Sequence, residues 1–391
     1  MLNITEKTFR ASPDYELVLY DRLNGEEQSS LHHLALDADA YGILKPSRAT
    51  GLSIKSVSRD AALLFLTLRE PGPLPHYVRS SLGSGYDETI ATFVLDGVLE
   101  IEFEGRFVWG PAALRSLRTT HAPAHGSSAI GALSVAALQY ADALDSTDVA
   151  EISTRLYTYN HVPAGPFWRS RIPSRDALLH YLGLRDADVI AARLAKAWRS
   201  DAGDGAHQGW VSWRSRVIDA TASSAYKLYV SPMPAALRDA FEIVTGVVVA
   251  SSATAFKIGS DLYGILRPDK IVLYFASFES LAETAETLRQ RLAGIPAQGV
   301  PFTAAVAEDG LLSWGVDPPA GRAGPWWQAR ESWRLWLTNR LAAALAIAKR
   351  QGDDDVPTWQ FALDRIALEG VDPATWAPAT SLRLEAESAG S

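Results

Sequence analysis

Three lysines between residues 227 and 270 carry the most chemical information in this chain. Only 8 of its 37 Lys and Arg side chains are lysine, so arginine is the default cation. Lys227, Lys257 and Lys270 nevertheless each fall on a candidate strand. Arginine keeps its proton in proteins, whereas a desolvated lysine can lose one and act as a base. In Tyr226–Ser231 a period of two puts Lys227, Tyr229 and Ser231 on one face and Tyr226, Leu228 and Val230 on the other. Lys227 and Tyr229 then point the same way, with Cα atoms roughly 6.5–7 Å apart. Phe256 and Ile258 flank Lys257 and pack inward, which turns Lys257 to the opposite side. Arg267 adds charge close by in sequence. Two readings stay open on pattern alone. The cations converge on one anion, or they are lysines of exposed edge strands that guard against aggregation.

Other chemistries have little to stand on. The 391 residues contain no cysteine, which excludes disulfides, thiolate metal sites and cysteine nucleophiles. Net charge is -8, against the basic balance that nucleic acid demands. No phosphate-binding loop of the GxxxxGK[ST] type, no GxSxG elbow and no HExxH is present. His32-His33 and His121-x-x-x-His125 are the close histidine pairs; the second sits in a Pro/Ala/Gly stretch with no carboxylate nearby, and ordinary surface histidines are expected. No metal or cofactor is expected. The most apolar stretch, Ile243 to Phe256, is too short and too rich in Gly, Ser and Thr to span a bilayer. The start of the chain lacks a signal-peptide core, so a cytoplasmic protein without membrane or nucleic-acid partners is expected.

The elements that must position the lysines fall into three segments of an α+β protein. Residues 1–114 read as a winged-helix-like module. Its short strands are Glu16–Tyr20 and Leu52–Val57. Ser58 caps a helix through Ala61, Leu64, Phe65 and Leu68, and Asp87 opens a second. A hairpin then turns at Glu104-Gly105. Arg115 to Ser127 reads as a linker. Residues 128–213 read as helical, with Ser174 capping one helix and Asp186 opening another that reaches Trp198. Residues 220–391 alternate strands at Tyr226–Ser231, Ala255–Ile258, Lys270–Phe275 and Leu311–Gly315 with helices at Pro234–Val244 and Phe278–Leu292. A long helix from Trp327 to Arg350 and a short one over Trp359–Leu368 follow, and the last residues read as frayed. Trp333 and Trp336 read as core. Arg330, Arg334 and Arg340 read as a solvated face, with one a phosphate ligand should that helix approach the lysines.

Ala225-Tyr226-Lys227-Leu228-Tyr229-Val230-Ser231, a helix, and then Ala255-Phe256-Lys257-Ile258-Gly259 resemble the phosphothreonine/phosphoserine lyase fold. That fold occurs in effector lyases of enteric pathogens, in lyase domains of lanthipeptide synthetases, and in stand-alone lyases named after a type III effector. Leu266 to Phe275, Val300-Pro301-Phe302-Thr303 and Trp314-Gly315-Val316-Asp317-Pro318 are similar to later segments of the same family. The resemblance covers about residues 225–319. It implies a cofactor-free β-elimination of phosphate, with Lys257 as the base and Lys227, Arg267 and Lys270 on the phosphate. The position of the acid holds Tyr229, where the pathogen effectors and some synthetases carry His.

Val57 to Leu66, with Ile90–Leu99 after it, resembles the winged-helix precursor-recognition element of enzymes that modify ribosomally made peptides. That element adds a leader peptide to a strand edge. The resemblance implies that Ser53, Ile54, Lys55, Ser56 and Val57 hold the leader. Together the two resemblances imply lanthipeptide- or thioamitide-type maturation. A precursor peptide and a separate kinase would be the partners, because no kinase motif set is present. A non-catalytic escort for the precursor, or another lysine-dependent reaction on this scaffold, are the alternatives.

Overall fold

The computed structural model describes the chain except residues 1–3, 5, 48–51, 83–84, 118–121, 123–127, 187, 201–208, 219–224, 324–325, 353–354 and 389–391. His121 and His125 lie outside the described residues. Among those described, no helix is long and apolar enough to cross a membrane.

The fold is mixed α+β. In the N-terminal module, Tyr15–Leu19, Ala40–Pro46 and Lys55–Ser58 form a three-stranded antiparallel sheet. Thr8–Ala11 pairs with Gly72–Pro73 and with Leu99–Phe103. Leu99–Phe103 in turn pairs with Arg106–Val108, and this hairpin turns at Glu104 and Gly105, both at positive φ. The Ser58 Oγ accepts from the Ala61 N–H at 3.2 Å and starts the helix Arg59–Thr67, which buries Ala61, Ala62, Leu64 and Phe65. Of the stretch read as a linker, Ala122 is tied down at both backbone ends. Its N–H donates to Asp364 at 2.6 Å, and its carbonyl accepts from Gln360 at 2.9 Å.

The middle segment is helical as far as Ala197, through Ala129–Asp142, Val149–Thr158, Pro166–Arg171, Arg175–Tyr181 and Val189–Ala197. Trp198–Ser200 and Trp210–Ser215 are then strands, where the sequence suggests a helix running into Trp198. The reason is aromatic: Trp213 stacks on Phe256 at 4.6 Å and Trp198 meets its edge at 5.0 Å. Tertiary packing thus overrides the local helical pattern.

These two strands complete a seven-stranded antiparallel sheet. Its order is Ala304–Ala305, Leu312–Val316, Tyr226–Val230, Ile271–Phe275, Ala255–Gly259, Trp210–Ser215 and Trp198–Ser200. The Lys227 and Lys257 strands are interior, so neither lysine guards an exposed edge. One face is apolar, with Tyr226, Leu228, Val230, Phe256, Ile258 and Leu273 buried. The helices Leu237–Val248 and Phe278–Arg291 contribute Phe241, Val244, Leu281 and Leu288 to the same core.

The long helix spans Trp333–Gln351, not Trp327 onward, and Trp326–Gln328 pairs with Gly321–Ala323 instead. Its start is set by tertiary structure, because Asp317 accepts the Trp333 N–H at 2.8 Å. Trp333 and Trp336 are fully buried and stacked at 5.5 Å. The C-terminal residues read as frayed include a helix, Thr380–Ser388. One continuous core runs from Ile4 to Ala386. Ion pairs also join the N-terminal module to the C-terminal helices: Asp96 binds Arg365 at 2.7 Å and Lys55 at 3.1 Å.

Candidate active site

Strand register brings the lysines to one face. Ser212, Lys257, Val272, Tyr229 and Ser313 lie opposite one another in a row across five strands. Arg214, Ala255, Tyr274, Lys227 and Gly315 form the adjacent row. Gly315 is needed there because a Cβ would stand 2.3 Å from the Trp333 ring. The row therefore ends under that indole.

Lys257 makes no hydrogen bond or ion pair among the described residues. Its Nζ lies 4.1 Å from the centre of the Trp210 ring and 5.5 Å from that of Tyr274. Burial lowers its pKa from 10.5 to about 8, helped by Lys227 and Arg267 and opposed by Asp269 and Asp317. Such an amine is neutral often enough at pH 7 to take a proton.

Lys227 is buried, ion-paired to Asp317 and 5.4 Å from the Tyr274 ring centre. Asp317 thus holds both this ammonium and the first N–H of the long helix.

Arg267 approaches from the loop before the Ile271–Phe275 strand, its guanidinium 5.0 Å from the Trp210 ring centre. Its Nε and Nη2 donate to Asp269 at 2.9 Å each, and Nη2 also reaches the Tyr157 hydroxyl at 3.1 Å. Nη1 has no hydrogen-bond partner among the described residues. Asp269 is fixed from its other side by Arg334 at 2.9 Å. Burial alone would raise this carboxyl, but Arg334 and Arg267 together hold it well below the usual range. The long helix therefore does approach the lysines. Arg334 itself is fully buried, and it also donates to the Tyr157 carbonyl at 2.8 Å. Arg340 lies further along, over the Trp336 ring.

Lys270 is not brought into this group. It is completely buried, and its ammonium donates to the Pro232 carbonyl at 2.9 Å and to Gln298 at 2.5 Å. With its ammonium committed to these two acceptors, the phosphate role expected of it finds no support in its contacts. Strand alternation sends position 270 to the lysine face, but the side chain is used to tie the Pro232 and Gln298 loops. Tyr229 is buried on the site face with Val272 and Val300. Burial and Asp317 push its hydroxyl well above its ordinary pKa, which makes it a poor proton source.

Of the N-terminal candidates, Ser53, Ile54, Lys55 and Ser56 line a cleft of about 480 Å3. The far side is formed by Arg340, Ala343 and Ile347 of the long helix. Val57 is buried in the core instead. The Ser53 carbonyl is already taken by the Tyr15 hydroxyl at 2.8 Å, and Lys55 by Asp96.

Sequence reasoning gave no role to Trp210, Tyr274, Asp317, Asp269, Tyr157 or His161. Asp317 had a usable signal, since it directly follows a strand that pairs with the Lys227 strand. Asp269 and Tyr274 also lie within the Leu266–Phe275 stretch, whereas Trp210, Tyr157 and His161 come from outside it, which no spacing reveals. His161 Nε2 is buried with no hydrogen-bond partner among the described residues.

No protein-family model matches the chain, and no curated protein matches its sequence. Among solved structures, an effector protein of Pseudomonas syringae pv. tomato strain DC3000 aligns at 13% identity. The alignment covers 65% of this chain and 98% of that one, with a TM-score of 0.39. An effector of Pseudomonas syringae pv. syringae strain 61 aligns at 15% identity over 63% and 98%, also at 0.39. The phosphothreonine lyase effector VirA of Chromobacterium violaceum aligns at 16% identity over 31% of this chain and 66% of its own, at 0.27.

Proposed function

We propose that this protein eliminates phosphate from phosphoserine or phosphothreonine in a peptide, giving dehydroalanine or dehydrobutyrine. The observation that carries the reading is the Lys257 amine, held among rings without an anionic partner and surrounded by other cations. In its neutral form it takes the Cα proton. Lys227 and the unpartnered Nη1 of Arg267 supply charge for the phosphate oxygens as the Cβ–O bond breaks. The aromatic surroundings keep the base desolvated.

The reading extends to maturation of a ribosomally made peptide phosphorylated by a separate kinase. The cleft beside Ser53–Ser56 supports it. The cleft is large enough for several side chains, and its wall is the helix whose first turn is anchored by Asp317 at the lysines. A leader segment placed there lies along the same helix that reaches the site.

The test is incubation of the full chain with a mixed library of phosphoserine and phosphothreonine peptides, followed by mass spectrometry. Loss of phosphoric acid by the wild type, absent in Lys257→Ala, is the expected result. Equal turnover by Lys257→Ala removes that residue from the base role. Peptide binding with no change of mass favours the escort function instead.

A further inference from the structure

β-Elimination leaves a phosphate that needs a proton, and neither the lysines nor Tyr229 is suited to provide it. The helix Val149–Thr158 ends beside Arg267, where it presents Tyr157 to the Arg267 and Asp269 side chains. The chain then turns at Asn160, at φ 68. Asn160 Nδ2 donates to the Gln298 and Gly299 carbonyls at 2.7 and 2.9 Å. The Val162 N–H donates to the carbonyl of Leu266 at 3.0 Å, the residue before Arg267. His161 sits between these two anchors, so its ring is held near Arg267 by backbone on both sides. Its Nε2 is out of solvent and has no hydrogen-bond partner among the described residues. A buried ring nitrogen without a partner costs free energy, and its presence here asks for a ligand.

Resting on the elimination reading, we propose that His161 is the catalytic acid that protonates phosphate as it departs. Phosphate held by Arg267 and Lys227 fills the missing hydrogen bond to Nε2. The Lys257 amine takes the Cα proton, and that C–H pair becomes the Cα=Cβ bond. The Cβ–O pair leaves on the phosphate oxygen, which receives the Nε2 proton. Lys257 ends protonated and the imidazole neutral, and exchange with water resets both. The charged groups facing the ring are Asp269, Arg267, Arg334 and Lys270. In the free protein, burial lowers the His161 pKa to about 4; the three cations assist and Asp269 opposes. A phosphate dianion reverses that balance, so the acid is loaded when the substrate docks.

Two measurements on the full chain decide the matter. Histidine NMR titration of the wild type, with and without inorganic phosphate, is expected to move the His161 midpoint from about 4 upward by at least two pH units. A midpoint that phosphate leaves in place overturns the proposal. His161→Gln keeps an amide donor but cannot give up a proton. On a phosphothreonine peptide its kcat is expected to fall by about 100-fold or more, with KM within about threefold. On a β-chloroalanine peptide, whose chloride leaves without a proton, the loss is expected to shrink to within about threefold. Equal losses on both peptides mark His161 as merely structural, and no loss on either removes it from the site. A wild type inactive on every phosphopeptide refutes the elimination reading itself, which separates the two failures.

Discussion

Replacing Lys227 by methionine tests the electrostatic origin of the Lys257 base. The Lys227 and Lys257 ammoniums lie 5.4 and 5.5 Å from the same Tyr274 ring centre, so they are no more than about 11 Å apart. At an effective dielectric of roughly 20, two like charges at that separation repel by about 1.5 kcal/mol or more, or about one pH unit. In the wild type the Lys257 pKa of about 8 leaves roughly a tenth of the amine neutral at pH 7. An ordinary lysine leaves on the order of one part in three thousand. In Lys227→Met the Lys257 midpoint should therefore rise to about 9, and the neutral fraction at pH 7 should fall about tenfold. The assay is the initial rate of chloride release from a β-chloroalanine peptide between about pH 7 and 10, because that leaving group needs no acid and Lys257 alone sets the profile. The wild-type kcat/KM should climb about fivefold from pH 7 to 8 and level off above that, as Lys257 loses its proton. The variant should level off about one unit later. A variant profile with an unmoved inflection refutes the electrostatic argument, and a wild-type inflection near 10 refutes Lys257 as a perturbed base.

Other perturbations probe the supporting structure. Arg365→Met leaves buried Asp96 with Lys55 alone and should cost about 3–5 kcal/mol in urea unfolding, much of it recovered when Asp96→Leu is added. Burial holds the Lys270 pKa at about 7, so between that pH and about 10 the unfolded chain binds the extra proton and stability rises with pH. Melting temperatures measured from pH 7 to 9 should climb in the wild type and climb less in Lys270→Met. Tyr229→Phe should keep phosphate release within about threefold, because a hydroxyl whose pKa burial raises this far contributes little acid. Ile54→Glu, in the half-exposed wall of the cleft, should raise KM for a long leader-bearing peptide and leave a short phosphopeptide unaffected.

The alternation in Tyr226–Val230 and Ala255–Gly259 was enough to place Lys227, Tyr229 and Lys257 on one face, because side chains in a strand must alternate and the apolar partners leave one choice of core side. The Ser58 cap and the Glu104-Gly105 turn were legible for the same reason: the chemistry and the geometry lie within four residues of each other. Local pattern could not show that both lysine strands are interior, because strand order depends on pairings between distant segments. Trp198 and Trp210–Ser215 became strands only through Phe256, and the long helix begins at Trp333 only because Asp317 waits for its N–H. Lys270 looked equivalent to its two neighbours until the fold spent its ammonium on Pro232 and Gln298. Whether a lysine is a free base, an ion-paired clamp or a buried tie is set by what the rest of the chain brings within reach, and that is decided in three dimensions.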